Sequence, residues 1–165
     1  MFRQVSLPCE VLGRLFLHSM PGRNEPFEDA QEEIERQGIT RVVCLTPREE
    51  IRSKSPSYYS ALESDSLPWT HTEFPIPNYG VPQDEEAFLN LIRSIAHHLR
   101  KGERVLIHCG AGYGRTGMVA ICVLMALGLG KDEAEERVKS ANSSPETQEQ
   151  WEWVEMVSEH LSKER

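Results

Sequence analysis

Hydrophobic and polar positions along the first part of this chain alternate between strand-like and helix-like spacing. Val11–His18 alternates loosely between apolar and polar residues and predicts a short strand. The charged segment Glu28–Gln37 favours a helix that ends at Gly38. The apolar run Thr40–Leu45 has the length of a buried strand. The first part of the chain therefore predicts a strand, a helix and a second strand in that order.

The middle of the chain predicts less regular structure. Thr46–Leu67 is rich in Ser and Pro, so we expect an irregular segment with one or two short helices. Trp69–Phe74 is a candidate strand. Phe74–Pro82 holds three prolines and one glycine in nine residues, which predicts a stiff loop.

Helical periodicity is strongest after this loop. A helix is predicted to begin near Pro82 with an acidic first turn and to end at Lys101–Gly102. Its apolar residues recur at helical spacing and share one face: Phe88, Leu91, Ile92, Ile95 and Leu99.

The last part of the chain repeats the order of strand and helix. Arg104–His108 predicts a buried strand, and Thr116–Leu127 predicts a helix that is apolar on all sides and therefore central. Two more helices are predicted over Lys131–Ser140 and Glu146–Leu161. Because strands alternate with helices, we expect an α/β fold with a central, mostly parallel sheet flanked by helices.

Length and charge narrow the range of functions. The 165 residues fit one domain over residues 1–165, and the net charge of −8 argues against nucleic acid or an anionic membrane as a partner. The longest apolar run, Met118–Leu129, is shorter than the ~20 residues of a membrane span. The four cysteines are scattered without a Cys-x-x-Cys pair, which suggests neither a zinc knuckle nor a disulfide framework. We expect a monomer in the reducing cytoplasm.

The candidate chemistry lies between the buried strand and the central helix, in a glycine-rich turn over Gly110–Gly114. Backbone N–H groups of such a turn and the positive end of the following helix form a cradle for an anion such as phosphate. The same field favours the thiolate of Cys109, which makes it a nucleophile at neutral pH. Arg115 could clamp two phosphate oxygens, and Thr116 is close enough to hydrogen-bond the sulfur.

Other interpretations of this segment remain. Gly112–Gly117 also spells G-x-G-x-x-G, but the acidic residue expected about 20 positions later in a dinucleotide site would fall in the helix-like segment Lys131–Glu136. A nucleotide-binding P-loop requires a lysine directly before its Ser or Thr, and no lysine precedes Thr116. Cys109 could also be a buried structural cysteine in a tight turn.

At these residues the chain resembles the cysteine-dependent protein tyrosine phosphatase superfamily, in particular its dual-specificity members. His108–Thr116 meets the signature H-C-x-x-G-x-G-R-T/S without a gap, and Glu146–Gln150 is similar to the glutamine-containing loop of these enzymes. The resemblance covers nearly the whole chain, including the Pro-rich loop before the long helix. It implies a phosphatase fold and hydrolysis of phosphotyrosine, and of phosphoserine or phosphothreonine, in proteins.

The resemblance implies a role for each matched residue. Cys109 would attack phosphorus to form a phosphocysteine, and water would release phosphate with help from Thr116 and Gln150. His108 would tune the thiolate from beneath the loop, although it could equally be a packed core histidine. Neither a metal ion nor another cofactor is implied. The residues that would bind phosphate are Gly110, Ala111, Gly112, Tyr113, Gly114 and Arg115.

The chain departs from the family pattern at the general acid. Asn78 stands where relatives carry an aspartic acid, and an amide cannot protonate the leaving group. General acid help is worth about 10²–10⁴-fold in rate, so another carboxyl must substitute if turnover is fast. Glu146 is favoured over Asp84, which is more simply interpreted as an acidic residue of the first turn of a helix. If neither donates, the chain is a phosphoprotein-binding pseudophosphatase with weak turnover.

Two further expectations concern the substrate and a second cysteine. Relatives that act on inositol phospholipids have lysines where this chain has Gly110 and Tyr113, so a phosphoprotein substrate is favoured. RNA triphosphatase relatives have Asn where this chain has Gly114, which makes RNA a poor match. Cys44 ends a strand at a place where some relatives carry a cysteine that bonds the nucleophile on oxidation. A reversible disulfide with Cys109 and an inert core cysteine both remain open.

Overall fold

A five-stranded sheet forms the centre of the protein in a computed structural model that describes residues 2–164. Its order is β1-β2-β5-β3-β4, with β1 antiparallel to β2 and the other neighbours parallel. This confirms the predicted mostly parallel sheet. The strands are β1 (Arg3–Val5), β2 (Arg14–His18), β3 (Arg41–Cys44), β4 (Thr70–Glu73) and β5 (Arg104–His108).

Helices cover both faces of the sheet. Alternate residues of a strand point to opposite faces, and Val43 and Ile107 join the core beneath α4–α7, whereas Val42 and Leu106 face α1. Those two helical layers therefore bury both faces. The helices are α1 (Phe27–Arg36), α2 (Arg48–Lys54), α3 (Pro56–Glu63), α4 (Glu85–Arg100), α5 (Gly114–Ala126), α6 (Lys131–Ser140) and α7 (Gln148–Lys163).

The helix α5 lies at the centre of the larger core. Its residues from Gly114 to Met125 are all buried, because α4, α6 and α7 pack around it. The prediction of a central helix that is apolar on all sides is confirmed. Within residues 2–164 no helix is both long and apolar enough to cross a bilayer.

Three boundaries differ from the predicted ones for local reasons. The first predicted strand begins at Arg14 rather than Val11, because the Val11 amide donates to Pro8 and closes a turn. The long helix begins at Glu85 because the Asp84 side chain accepts from the Ala87 amide.

The last helix begins at Gln148 because the Thr147 side chain caps it, accepting from the Gln150 amide at 3.1 Å. Glu146 therefore lies before the helix rather than in it. The strand β1 was not predicted, since it has three residues and buries only Val5.

A buried hydrogen-bond chain joins β5 to α3 and β4. The Tyr58 hydroxyl lies 2.8 Å from Nε2 of His108 and 2.7 Å from Nε2 of His71. The other ring nitrogen of His108, Nδ1, lies 3.2 Å from the Cys109 carbonyl oxygen, which can only accept. His108 therefore donates a hydrogen bond from Nδ1 to the Cys109 carbonyl and accepts one from the Tyr58 hydroxyl at Nε2. The chain of bonds fixes one tautomer of His108 directly before Cys109.

Protonation of His108 should destabilise the fold in acid. Complete burial lowers the pKa of His108 from 6.5 to about 3, so the unfolded chain binds a proton that the native one excludes. As pH falls through this window, His108 should lower the free energy of unfolding by up to about 1.4 kcal/mol per pH unit. We expect the free energy of unfolding of His108→Gln, measured by urea unfolding, to fall less steeply between pH 7 and 4 than that of the wild type. His97→Gln, at an exposed position, should keep the wild-type slope, and equal slopes for all three proteins would contradict the prediction.

Close contact between α5 and the segment before α7 requires a glycine. A Cβ added to Gly117 would lie 2.6 Å from the backbone nitrogen of Ser144. We expect Gly117→Ala to lower the free energy of unfolding by about 1–3 kcal/mol through overpacking. Nothing lies within 4 Å of a Cβ added to Gly130, so Gly130→Ala should change the free energy of unfolding by less than about 1 kcal/mol. Urea unfolding of both variants checks this, and equal stabilities would contradict it.

Candidate active site

The loop between β5 and α5 curls around the sulfur of Cys109. The side chain is buried, and the Gly112 amide donates to its Sγ at 3.3 Å. Gly112 has φ 85°, and a Cβ there would lie 2.7 Å from the His18 carbonyl oxygen. Only glycine fits this position, because it permits both the left-handed backbone and the close approach. The loop therefore directs a backbone N–H group at the sulfur.

The first turn of α5 adds a positive field and a free hydroxyl beside this loop. The helix begins at Gly114, and its N-terminal end carries the positive pole of the helix dipole. Thr116 is fully buried, and its Oγ1 has no hydrogen-bond partner within residues 2–164. A buried hydroxyl without a partner is costly, so Thr116 is available to bond a group that enters the loop.

Arg115 is a buried charge that α2 and the Pro-rich loop hold in place. It is 3% exposed, and its guanidinium donates to both carboxylate oxygens of Glu50 at 3.0 and 2.9 Å. It also donates to the Ile76 carbonyl at 2.8 Å and to Oδ1 of Asn78 at 3.2 Å. Burial alone would lower the pKa of Arg115, but the hydrogen bonds that it donates to Glu50 and the proximity of Cys109 raise this pKa. Arg115 therefore stays charged beside the sulfur.

Glu50 is a site residue that the sequence interpretation missed. Burial opposes its ionisation, yet the Arg115 guanidinium outweighs that effect and keeps the pKa of the Glu50 carboxyl below its usual value. It lies in α2, within the segment Thr46–Leu67 that was predicted to be largely irregular. Two adjacent glutamates in the first turn of a short helix resemble an ordinary solvated helix start, so nothing in the sequence points to this pairing.

The Pro-rich loop and the predicted glutamine-containing loop meet at the same place. Asn78 contacts Arg115, and the Gln150 side chain donates to the Gly80 carbonyl at 3.1 Å. Tyr79 has φ 61°, so the backbone turns sharply after Asn78. Asn78 and Gln150 are thus brought to the Cys109 loop, as the sequence predicts.

Glu146 has a free carboxyl at the edge of the loop. Its backbone N–H donates to Oε1 of Gln150 at 2.7 Å, and a Cβ added to Gly114 would collide with its carboxylate. The side chain is exposed and forms no ion pair within the described part of the chain. Asp84, the alternative candidate, is engaged in capping α4.

Two residues outside the motif hold the far side of the loop. The Gly112 carbonyl accepts from Arg3 at 2.9 Å and from the Ser143 hydroxyl at 2.6 Å. The Arg3 guanidinium lies 5.5 Å from the ring centre of Tyr113, which is half-exposed at the rim. Neither Arg3 nor Ser143 stands out in the sequence, because each lies in a short segment without a motif.

Cys44 lies in the smaller core cluster beneath α1–α3, whereas Cys109 belongs to the cluster beneath α4–α7. Burial raises the pKa of Cys44 to about 11, and its Sγ lies 3.7 Å from the Thr46 carbonyl oxygen. Both sulfurs are free thiols here, and the reversible disulfide between them stays a prediction.

One group of side chains offers ligand atoms in the spacing of a metal site. Atoms of Cys44, His71 and His108 all lie within 4.8 Å of one another. The Tyr58 hydroxyl already lies between the two imidazoles at hydrogen-bond distance. The arrangement is therefore satisfied as a hydrogen-bond network, and a metal ion would have to displace the phenol.

Comparisons with known proteins agree with this arrangement. The family model described as PTP-SAK, Swiss Army Knife protein, DSP-PTPase phosphatase domain, matches residues 11–160. Tyrosine phosphatase 067L of Invertebrate iridescent virus 3 is 29% identical over 102 residues, 60% of this chain and 39% of the relative. The chain thus spans well under half the length of that curated relative.

Two solved structures share the fold over most of their length. Kinase associated phosphatase superposes with a TM-score of 0.83 at 20% identity, covering 98% of this chain and 96% of the other. Tk-PTP in its active form has a TM-score of 0.72 at 32% identity, covering 89% and 92%. The sequence resemblance to the dual-specificity group is thereby confirmed, and the chain belongs to the PTP-SAK family of dual-specificity protein tyrosine phosphatase domains.

Proposed function

We propose that this chain hydrolyses phosphotyrosine, and phosphoserine or phosphothreonine, in proteins through a phosphocysteine intermediate. The observation that carries the proposal is the environment of the Cys109 sulfur. The sulfur accepts a hydrogen bond from the Gly112 amide, and Arg115 stays charged beside it. A thiolate in such a field is a nucleophile, and the surrounding N–H groups match the oxygens of a phosphoryl group. The family membership supports a phosphatase, and the roles below are our assignment of its chemistry.

In the first step the Cys109 thiolate attacks phosphorus. The S–P bond forms as the bond from phosphorus to the substrate oxygen breaks, and the leaving oxygen takes up a proton. The loop amides and the Arg115 guanidinium hydrogen-bond the three remaining oxygens, where negative charge is spread in the transition state. Glu50 keeps the charge of Arg115 in place. Because the four Nη–H groups already donate to Glu50, Ile76 and Asn78, binding through more than the Nε–H group requires these bonds to be exchanged when the substrate arrives.

We assign the proton donor to Glu146. Asn78 lies at the site but cannot release a proton, and Asp84 caps a helix. Glu50 is held ionised by Arg115, which disfavours it as an acid. Glu146 is the remaining sequence candidate, with an exposed carboxyl at the edge of the loop.

In the second step water attacks phosphorus and the S–P bond breaks. Thr116 would hydrogen-bond the departing thiolate with its free hydroxyl, which makes the sulfur a better leaving group. Gln150 would hold the water, and Glu146 would accept its proton. Inorganic phosphate and the starting thiolate result. No residue in this sequence of steps requires a metal ion.

A phosphoprotein-binding pseudophosphatase is the second candidate, and only Asn78 favours it. Cys109, Arg115 and the loop glycines are all in place, which a binding module does not need in full. A phosphoprotein substrate is preferred over an inositol lipid, because the rim residue Tyr113 is neutral and the chain carries a net charge of −8.

Removal of the nucleophile should abolish turnover. We expect Cys109→Ser to reduce hydrolysis of p-nitrophenyl phosphate to the uncatalysed rate, because the serine hydroxyl is not ionised at neutral pH. Cys9→Ser, at an exposed cysteine, is the matched control and should keep full activity. Rapid acid quench followed by mass spectrometry should find phosphate on Cys109 of the wild type. Residual turnover in Cys109→Ser would overturn the proposed mechanism.

Loss of the assigned acid should affect substrates with poor leaving groups most. We expect Glu146→Gln to lower kcat on a phosphotyrosine peptide by about 10²-fold and to remove one limb of its pH profile. An activated aryl phosphate, whose leaving group needs no proton, should be far less affected. Glu149→Gln in α7 is the matched control.

The opposite result would identify the chain as a binding protein. If Glu146→Gln has no effect while Asn78→Asp raises peptide turnover by about 10²-fold or more, the general acid is missing from this chain. The wild type would then bind phosphoproteins and turn them over slowly.

A further inference from the structure

A second guanidinium group approaches the Cys109 loop from outside the motif. A Cβ placed on Gly110 would collide with Oε2 of Glu50 and would lie 3.0 Å from Nη2 of Arg115 and 3.2 Å from Nη1 of Arg23. Two arginines from different elements therefore reach one point at the loop. Arg115 comes from the buried side and is 3% exposed, whereas Arg23 comes from the solvent side.

A hydrogen-bonded turn fixes the position of Arg23. The Met20 amide donates to the Gly110 carbonyl at 3.0 Å, which joins the turn directly to the loop. The Arg23 amide donates to the Met20 carbonyl, also at 3.0 Å. The Ser55 hydroxyl donates to the Pro21 carbonyl at 2.7 Å and ties the turn to the end of α2. Arg23 therefore projects from a backbone whose distance from Cys109 is set by the fold.

Arg23 lies near the Glu50 carboxylate but does not bond to it. Within residues 2–164 its guanidinium has no hydrogen bond or ion pair. The nearby Glu50 carboxylate is engaged by Arg115 through both oxygens and by Lys54 at 3.3 Å. Glu25, on the same turn, pairs with His18 and accepts from the Gly22 amide.

We propose that Arg23 binds a second anionic group of the substrate, a carboxylate or a phosphate on a residue close to the phosphorylated one. This inference rests on the proposed function and adds a substrate preference to it. The transferred phosphoryl group would occupy the loop amides and the buried Arg115. The exposed fork of Arg23 then faces the part of a peptide that stays outside the pocket, and it matches the planar geometry of an oxyanion.

Three phosphotyrosine peptides test the preference: one with neutral flanking residues, one with flanking aspartates and one with a second phosphorylated residue. The preference is the kcat/KM for the aspartate peptide divided by the kcat/KM for the neutral peptide. We expect Arg23→Gln to lower this ratio by about fivefold to tenfold, mainly by raising KM for the aspartate peptide. The doubly phosphorylated peptide distinguishes a phosphate from a carboxylate as the preferred group. Arg52→Gln, exposed on α2 two residues after Glu50, removes the same charge and should leave the ratio unchanged.

Three results would overturn the proposal. An equal loss on all peptides and on p-nitrophenyl phosphate would place Arg23 on the transferred phosphoryl group itself. If Arg23→Gln and Arg52→Gln lower the preference for the aspartate peptide equally, the cause is a general effect of charge, and no anion site exists at Arg23. An unchanged ratio in Arg23→Gln would also contradict it.

A binding measurement separates this proposal from the phosphatase proposal. Fluorescence polarisation of the same peptides with Cys109→Ser protein needs no turnover, so it reports on Arg23 even if the wild type proves inactive. We expect tighter binding of the anionic peptides to Cys109→Ser, and loss of that difference in the double variant with Arg23→Gln. Inactive wild type with an intact binding difference would contradict only the phosphatase proposal.

Discussion

The buried ion pair between Arg115 and Glu50 is the interaction on which the rest of the site depends. A guanidinium at 3% exposure cannot stay charged without a partner, and its two bonds to Glu50 supply one. Two further N–H groups donate to the Ile76 carbonyl and to Asn78, so one side chain joins α5, α2 and the Pro-rich loop. A positive charge is thereby kept beside Cys109 before any substrate arrives.

The same arrangement separates two tasks that a phosphatase site must perform. The loop amides, Thr116 and Arg115 form the buried part, to which we assign the phosphoryl group. The exposed part consists of the Tyr113 side chain on the loop and of side chains from other segments, including Glu146 and Arg23, and we propose that it distinguishes one substrate from another. Backbone position is fixed in both parts, because hydrogen bonds tie the Gly110 and Gly112 carbonyls to neighbouring elements.

The sequence predicted what is local along the chain and missed what depends on distant contacts. The Cys109 loop was found because its residues are contiguous and lie between a buried strand and an apolar helix. Glu50, 65 residues from Arg115, was not found, since only the folded chain brings the two together. Glu146 was a candidate from the sequence, but its place before α7 depends on the Thr147 cap. Strand β1 escaped notice because three residues are too few to show a period.

Arg3 has a consequence for how the site is formed. Its guanidinium bonds to Gly112 and to Ala141, which lie 109 and 138 residues further along the chain. Contacts of such separation cost loop-closure entropy, because distant parts of the chain must be brought together to form them. The far wall of the anion cradle is therefore completed only when the two ends of the domain have met. A nascent or partly unfolded chain holds the nucleophile and the arginine of the motif without the shape that makes them work together.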